Sequence, residues 1–214
     1  MLMKKIFIWL GFICFSSQAL DVRISDERGN AIVGAAVWLT GSKWQATELQ
    51  ENKVYSMGQQ DRAFVPHTLI VPSGTLVEFP NFDSILHHVY SFSKAKSFEL
   101  KLYRDKPLAP VSFSQPGVVE LGCNIHDWML GYILVVNSGV YGVSDEQGIV
   151  QLTLDSSQLG NAQLNVWHER FENLDSPESK SITITQTTQV VDYQIQQTLL
   201  DKMEFLTDDT DEYE

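Results

Sequence analysis

The segment Cys123-Asn124-Ile125-His126-Asp127-Trp128-Met129 places a thiol, an imidazole and a thioether at successive intervals of three residues. Some 36 residues before Cys123, the run Leu86-His87-His88-Val89-Tyr90 adds imidazoles on a stretch that reads as a strand. Thiolate and thioether are soft ligands and imidazole is borderline. Together they suit copper and do not suit magnesium or calcium. Two imidazoles and one thiolate in a plane, with a long axial thioether, make a type 1 (blue) copper site for electron transfer. A rigid set of this kind changes little between the cuprous and cupric states and leaves substrate no easy coordination position. Taken singly, each residue has an ordinary structural reading: a lone His in a β-protein packs or meets solvent, and Met129 could be core. Their combination in one short segment, after an upstream His on a strand, favours one mononuclear metal site.

Cysteine usage sharpens the point. The chain has two cysteines, Cys14 and Cys123. Residues 1–19 read as a secretory signal. Lys4 and Lys5 give the basic region, Ile6 to Phe15 the apolar stretch, and Ser17-Gln18-Ala19 a cleavage site after Ala19. Ile13 stands before Cys14 where a lipid-attachment signal wants a small residue, so lipidation is not expected. A buried N-terminal helix is the alternative, disfavoured by the adjacent lysines and the switch to strand pattern at Asp21. The processed chain keeps Cys123 alone. A single thiol in an oxidising compartment is either buried and inert, paired with another chain, or held by a metal. The expected location is the periplasm.

Two of the 15 basic residues lie in that segment, so 13 remain against 27 acids, a charge of −14 after processing. Such a protein lacks the footprint for nucleic acid or an anionic membrane. No apolar run reaches the ~20 residues of a membrane span, so no stable membrane insertion is expected. Asp201 to Glu214 holds seven acids and one lysine and reads as a solvated tail.

Short runs rich in Val, Ile, Phe and Tyr alternate with Gly, Pro, Asn and Asp turns, which predicts an all-β chain. The expected strands are Asp21–Ser25, Ala31–Leu39, Ala63–Val71, Thr75–Phe79, His87–Phe92, Val111–Phe113, Val118–Cys123, Gly131–Val136, Ile149–Leu154, Gln163–His168, Ile182–Thr185 and Val190–Gln196. A short helix or loop is read around Ala95–Leu102. On this pattern the ligand segment is a loop between two rigid strands. The sequence Ile24-Ser25-Asp26-Glu27-Arg28-Gly29 recurs as Val143-Ser144-Asp145-Glu146-Gln147-Gly148, a hairpin signature on either side of the middle of the chain. The first hairpin, with Gly34-Ala35-Ala36-Val37, resembles the opening of carboxypeptidase-regulatory-like (prealbumin-like) β-sandwiches. The second, running to Asn165-Val166-Trp167, resembles their later strands. The resulting division is residues 20–50 and 139–197 as one split sandwich, 51–138 as an inserted domain and 198–214 as the acidic tail. The alternative assigns the first hairpin to the central domain.

The central segment resembles the cupredoxins. Phe64-Val65-Pro66, Leu69-Ile70-Val71, Gly74 and Val77-Glu78-Phe79 look like their opening strands. His87-His88-Val89 looks like their first histidine segment, and Gly117 to Met129 followed by Gly131-Tyr132-Ile133 like their closing strands and ligand loop. The interval from Cys123 through His126 to Met129 is similar to that of amicyanin and shorter than the plastocyanin loop. The whole most resembles exported, cupredoxin-like proteins called methylamine utilization proteins, best over Met57 to Asn137. The resemblance implies a Greek-key cupredoxin sandwich and a copper ligand set of His87, Cys123, His126 and Met129. His88 stands where the family has Asn and is the alternative ligand on the same strand. Asp127 stands where amicyanin-like loops carry Pro, and its charge beside His126 should favour the oxidised metal.

The leading expectation is a periplasmic blue copper protein passing single electrons between a redox donor and acceptor, with a link to amine oxidation implied only by the family label. Copper storage or delivery is the second reading, weakened by the scattered Met57, Met129 and Met203. A third is an interaction protein on a cupredoxin scaffold. No Ser/His/Asp pattern, phosphate-cradling glycine loop or carboxylate pair supports an enzyme. His67 follows Pro66 in an expected strand and reads as exposed, His168 has no partner motif, and Met57, Trp38, Trp44 and Trp167 read as packing residues. Trp128 reads either as part of an apolar patch at the exposed His edge or as a cover for the loop.

Overall fold

The computed structural model describes residues 19–41, 43–44, 53–107, 109–186 and 189–201. The proposed signal falls outside the described residues except for Ala19, which opens the first strand, and the acidic tail falls outside them except for its first residues. In chain order the strands are β1 (Ala19–Ser25), β2 (Ala36–Thr40), β3 (Val54–Ser56), β4 (Gly58–Gln60), β5 (Ala63–Val65), β6 (Thr68–Pro72), β7 (Thr75–Glu78), β8 (His87–Phe92) and β9 (Ser97–Tyr103). They continue as β10 (Val111–Phe113), β11 (Gly117–Cys123), β12 (His126–Val136), β13 (Tyr141–Val143), β14 (Ile149–Thr153), β15 (Gly160–Trp167), β16 (Glu178–Ile184) and β17 (Gln189–Gln194). The protein is all-β, with one short 3-10 turn at Ser156–Gln158 among the described residues.

Several stretches differ from expectation: Ala63–Val71 breaks at the Pro66–His67 bend into β5 and β6, and β3, β4 and β13 fall outside the expected strands. Ser97–Tyr103 is a strand, not a helix or loop. Its side chains alternate, with Phe98, Leu100 and Tyr103 turned toward the core and Glu99, Lys101 and Leu102 exposed. Glu99 and Lys101 of this edge strand dilute the apolar signal, as charged edge strands do. Ala31–Leu39 splits: only Ala36–Thr40 is ladder, and Ala31 makes an isolated bridge to Ser25.

A five-stranded sheet, β6-β12-β11-β8-β9, is the wall on which the molecule is built. Its longest strand, β12, pairs antiparallel with the central β11 and parallel with the edge strand β6. Successive side chains of a strand point to opposite faces. Ile133 and Val135 therefore enter one core, with Phe64, Val77, Phe79, Val89, Phe113 and Leu121. Tyr132, Leu134 and Val136 enter another, with Leu20, Val37, Trp44, Leu164 and Trp167. Both faces being covered explains why this strand is a continuous apolar run and does not alternate.

The first core is closed by a β10-β7-β3 sheet. The second is closed by strands from both ends of the chain, in sheets of order β14-β1-β17 and β13-β2-β15-β16. In these sheets Val22 stands opposite Val150, and Val37 opposite Val166. The recurring Ser-Asp-Glu turns have a common cause. Asp26 Oδ1 accepts from the Arg28 and Asn30 amides at 2.8 Å each, and Asp145 Oδ1 from those of Gln147 and Ile149 at 2.9 Å each. Gly148, with φ 73°, closes the second turn against the first hairpin, where an added Cβ would lie 2.6 Å from the Ile24 carbonyl oxygen. Gly148→Ala should therefore cost about 1–3 kcal/mol, read as a lower denaturation midpoint. Gly29→Ala, at φ 81° with no atom within 4 Å, should cost less.

Candidate metal centre

His87 opens β8 and Cys123 closes β11, and the ladder sets Cys123 against Val89. Adjacent strands thereby deliver an imidazole and a thiol to the same end of the sheet. The chain reverses over Asn124 and Ile125 only, and β12 begins at His126, which pairs with Cys123. The loop expected through Met129 is thus mostly strand. The next pair is Gly122 with Leu130, so Asp127–Met129 form a bulge with no counterpart on β11. A bulge re-aims side chains. Here it turns Met129 into the core that holds Cys123, where it is 2% exposed. The Asn124 amide donates to the His88 carbonyl oxygen at 3.1 Å and ties the turn to β8.

Cys123 Sγ lies 3.7 Å from His87 Nδ1 and 3.5 Å from His126 Nδ1. The donor atoms of these three residues all fall within 4.8 Å of one another, and the two imidazole centroids are 4.9 Å apart. They are the one group of three or more His, Cys, Asp or Glu donors that converges among the described residues. His87 is fully buried, Cys123 nearly so, and His126 half-buried. An imidazole must be neutral to coordinate, and the site favours that state at His126. Burial, then the neighbouring His87 and Arg62, push its pKa below the ordinary value against the opposing pull of Asp83.

His88, the alternative ligand, is turned away. Its Nε2 lies 2.9 Å from Glu99 Oε1 on β9. His67 is exposed, as the sequence suggests, but in a bend between β5 and β6 instead of a strand, with its Nε2 on Glu169. His168 is buried and structural: its Nε2 donates to the Val33 carbonyl oxygen at 3.0 Å, and its Nδ1 accepts from the Arg170 amide at 3.1 Å. Met57, Trp38, Trp44 and Trp167 are all core. Trp128 stands against His126, ring centroids 5.6 Å apart, and remains partly exposed beside Ile125.

Three neighbours of the site escaped the sequence reading. Asp83 Oδ2 is 2.8 Å from His87 Nε2. Tyr103, paired with His87 across β9, donates its hydroxyl to Gln59 Oε1 at 2.5 Å. Burial drives the Tyr103 pKa upward, helped by the adjacent Cys123 and opposed by Gln59. Gly122 must lack a side chain because the Tyr90 ring lies over it, 2.7 Å from where a Cβ would sit. An open cleft of about 900 Å³ reaches Cys123 and Met129 past Tyr90, Phe92 and Leu174.

No family model and no curated protein matches the chain. Solved structures do. A copper-containing nitrite reductase from Thermus scotoductus SA-01 is similar at 24% identity and TM-score 0.37, over 39% of this chain and 22% of that one. A purple cupredoxin from Nitrosopumilus maritimus is similar at 22% identity and TM-score 0.34, over 40% of this chain and all of its own. A reduced single-site variant of amicyanin is similar at 16% identity and TM-score 0.36, over 47% of this chain and 98% of its own. Each likeness spans less than half of this chain. What the site can hold is set by its own atoms.

Those atoms fit copper. A buried thiol between two imidazole Nδ1 atoms is a soft and borderline set of the right number for a trigonal plane. Carboxylate oxygens, which a calcium or magnesium site needs, are absent from the group that converges.

Proposed function

We propose that this chain is a mononuclear copper protein that passes single electrons between redox partners and is not itself an enzyme. The observation that supports this reading is the convergence of His87, Cys123 and His126 donors at one end of the sheet, with Met129 in the same core as Cys123. The copper ion, when bound, would supply a one-electron couple. The protein's own part is to hold the donors still. His87 and Cys123 are fixed by strand pairing and burial, His126 by the two-residue turn, and Met129 by the bulge. Little can move when the charge at the centre changes, which is what fast electron exchange requires. Met129 would be the fourth residue to hold the ion, through its thioether. The half-buried His126 edge, with Trp128 and Ile125 around it, is the side open to a partner. Contact there would be small and transient, as redox encounters are.

Export to the periplasm through residues 1–19 belongs to the same reading. So does an amine-oxidising donor, the first partner to test given the resemblance to methylamine utilization proteins. The processed protein loaded with Cu(II) should give a reversible one-electron wave in voltammetry and release metal slowly. Rapid handover of Cu(I) to an acceptor, with no reversible wave, would replace this reading by copper delivery.

Asp127 offers a finer check. It is exposed, beside His126, and puts a negative charge where Pro would put none. Asp127→Pro should raise the reduction potential, because the carboxylate stabilises the more positive oxidation state. An unchanged or lower potential would count against that role.

A further inference from the structure

We propose that Asp83 is the positioning residue of this centre. Its carboxylate holds His87 with the proton on Nε2, so that the Nδ1 lone pair faces Cys123, and it biases the site toward the cupric state. The proposal rests on the copper reading above and deepens it.

Asp83 lies in the segment before β8, four residues from His87, and no helix connects them. Its placement is over-determined. The Asp61 amide donates to its Oδ1 at 2.7 Å and the Arg62 amide to its Oδ2 at 3.0 Å. Its own amide donates to Asn81 Oδ1 at 2.9 Å. Asn81 is in turn fixed by donating from Nδ2 to the Ile85 and Tyr103 carbonyl oxygens at 2.8 and 3.2 Å. The turn that supplies the first two amides is itself unusual. Asp61 and Arg62 have φ values of 54° and 57°, in the left-handed region that non-glycine residues avoid. Such conformations cost free energy and persist where the surroundings demand them. Here the result is two successive N–H groups aimed at one carboxylate.

That carboxylate has one free direction of consequence. Its side chain is 13% exposed, and Oδ2 lies 2.8 Å from Nε2 of His87, whose side chain is 0% exposed. A carboxylate already accepting from two amides can only accept from the imidazole. The ring proton must therefore sit on Nε2, and the other nitrogen, 3.7 Å from Cys123 Sγ, keeps its lone pair. A carboxylate behind a metal-bound imidazole fixes ring orientation and raises ligand basicity, and removing it typically lowers metal affinity by about 10–100-fold. The added negative charge favours Cu(II) over Cu(I).

Asp83→Asn is the informative variant, because Asn has the same shape but cannot accept from both turn amides and the imidazole with a nitrogen in place of one oxygen. The first readout needs neither variant nor metal: long-range ¹H–¹⁵N spectra of the metal-free native protein should show His87 protonated at Nε2 and bare at Nδ1. The second is copper affinity in both oxidation states. Asp83→Asn should lose about 10–100-fold in Cu(II) affinity and less in Cu(I) affinity, and so show a raised potential, with the visible spectrum still that of a thiolate site. A native His87 protonated at Nδ1, or equal losses for both oxidation states, would overturn the proposal. If the native protein gives no thiolate band with Cu(II), the copper reading itself fails, whatever the His87 tautomer.

Discussion

Cys123→Ser should abolish the strong visible band, at about 600 nm, that the Cu(II)-loaded protein is expected to show. The effect should be all or none, because the colour comes from charge transfer out of the thiolate sulfur and a serine hydroxyl cannot replace it. Little else should change. Cys123 is 3% exposed at the end of β11, and the exchange of sulfur for oxygen keeps shape and ladder hydrogen bonds. Retained far-UV circular dichroism alongside a colourless protein would place the electronic character of the site on this one atom. A band of undiminished intensity in the variant would sink the assignment. His126→Ala should give a milder result: the buried pair His87 and Cys123 remains, and a coloured but altered spectrum is expected.

The largest loss of stability is expected far from the donors, at Trp167. Its side chain is 0% exposed at the end of β15, and its ring meets Tyr132 of β12 edge-on at 5.2 Å. Its indole N–H donates to the Leu174 carbonyl oxygen at 2.9 Å. Trp167→Ala would remove a large buried ring, orphan that carbonyl and leave a cavity against the central sheet. A buried Trp truncated to Ala costs about 3–5 kcal/mol. In a chain of this size that lowers the melting temperature by roughly 10 °C. Differential scanning calorimetry of the metal-free protein would read it. A shift of only a degree or two would mean that the terminal strands pack on β12 far more loosely than the contacts imply.

Some of this was legible in the residues alone. His87–Phe92 and Val111–Phe113 run as strands with the expected bounds, because each is a short β-branched and aromatic run between turn formers. Cys123 and His126 announce themselves by spacing, and the structure brings both to His87. Other features were hidden for physical reasons. Asp83 has no spacing signal, since its approach to His87 is set by a left-handed turn more than twenty residues away, at Asp61 and Arg62. The bulge at Asp127–Met129 depends on a register shift between paired strands, which no local pattern encodes. Tyr103 sits on an edge strand whose charged Glu99 and Lys101 mask its alternation. Pairing between β1 and β17 joins residues at opposite ends of the chain, and only the burial of Val22, Ile24 and Tyr193 accounts for it.

The double-sided strand β12 has one more consequence. Its first residues supply donors, and its last ones are packed on both sides, into two interiors. A hydrogen bond of 2.6 Å between the Tyr55 and Tyr141 hydroxyls stitches the same two bodies together elsewhere. Neither interior can melt while the other keeps its wall intact, so the molecule should lose order as one cooperative unit. Occupancy of the corner at one end of that ribbon is then thermodynamically linked to the firmness of the whole, so filling the corner should raise the melting point of the terminal strands as well.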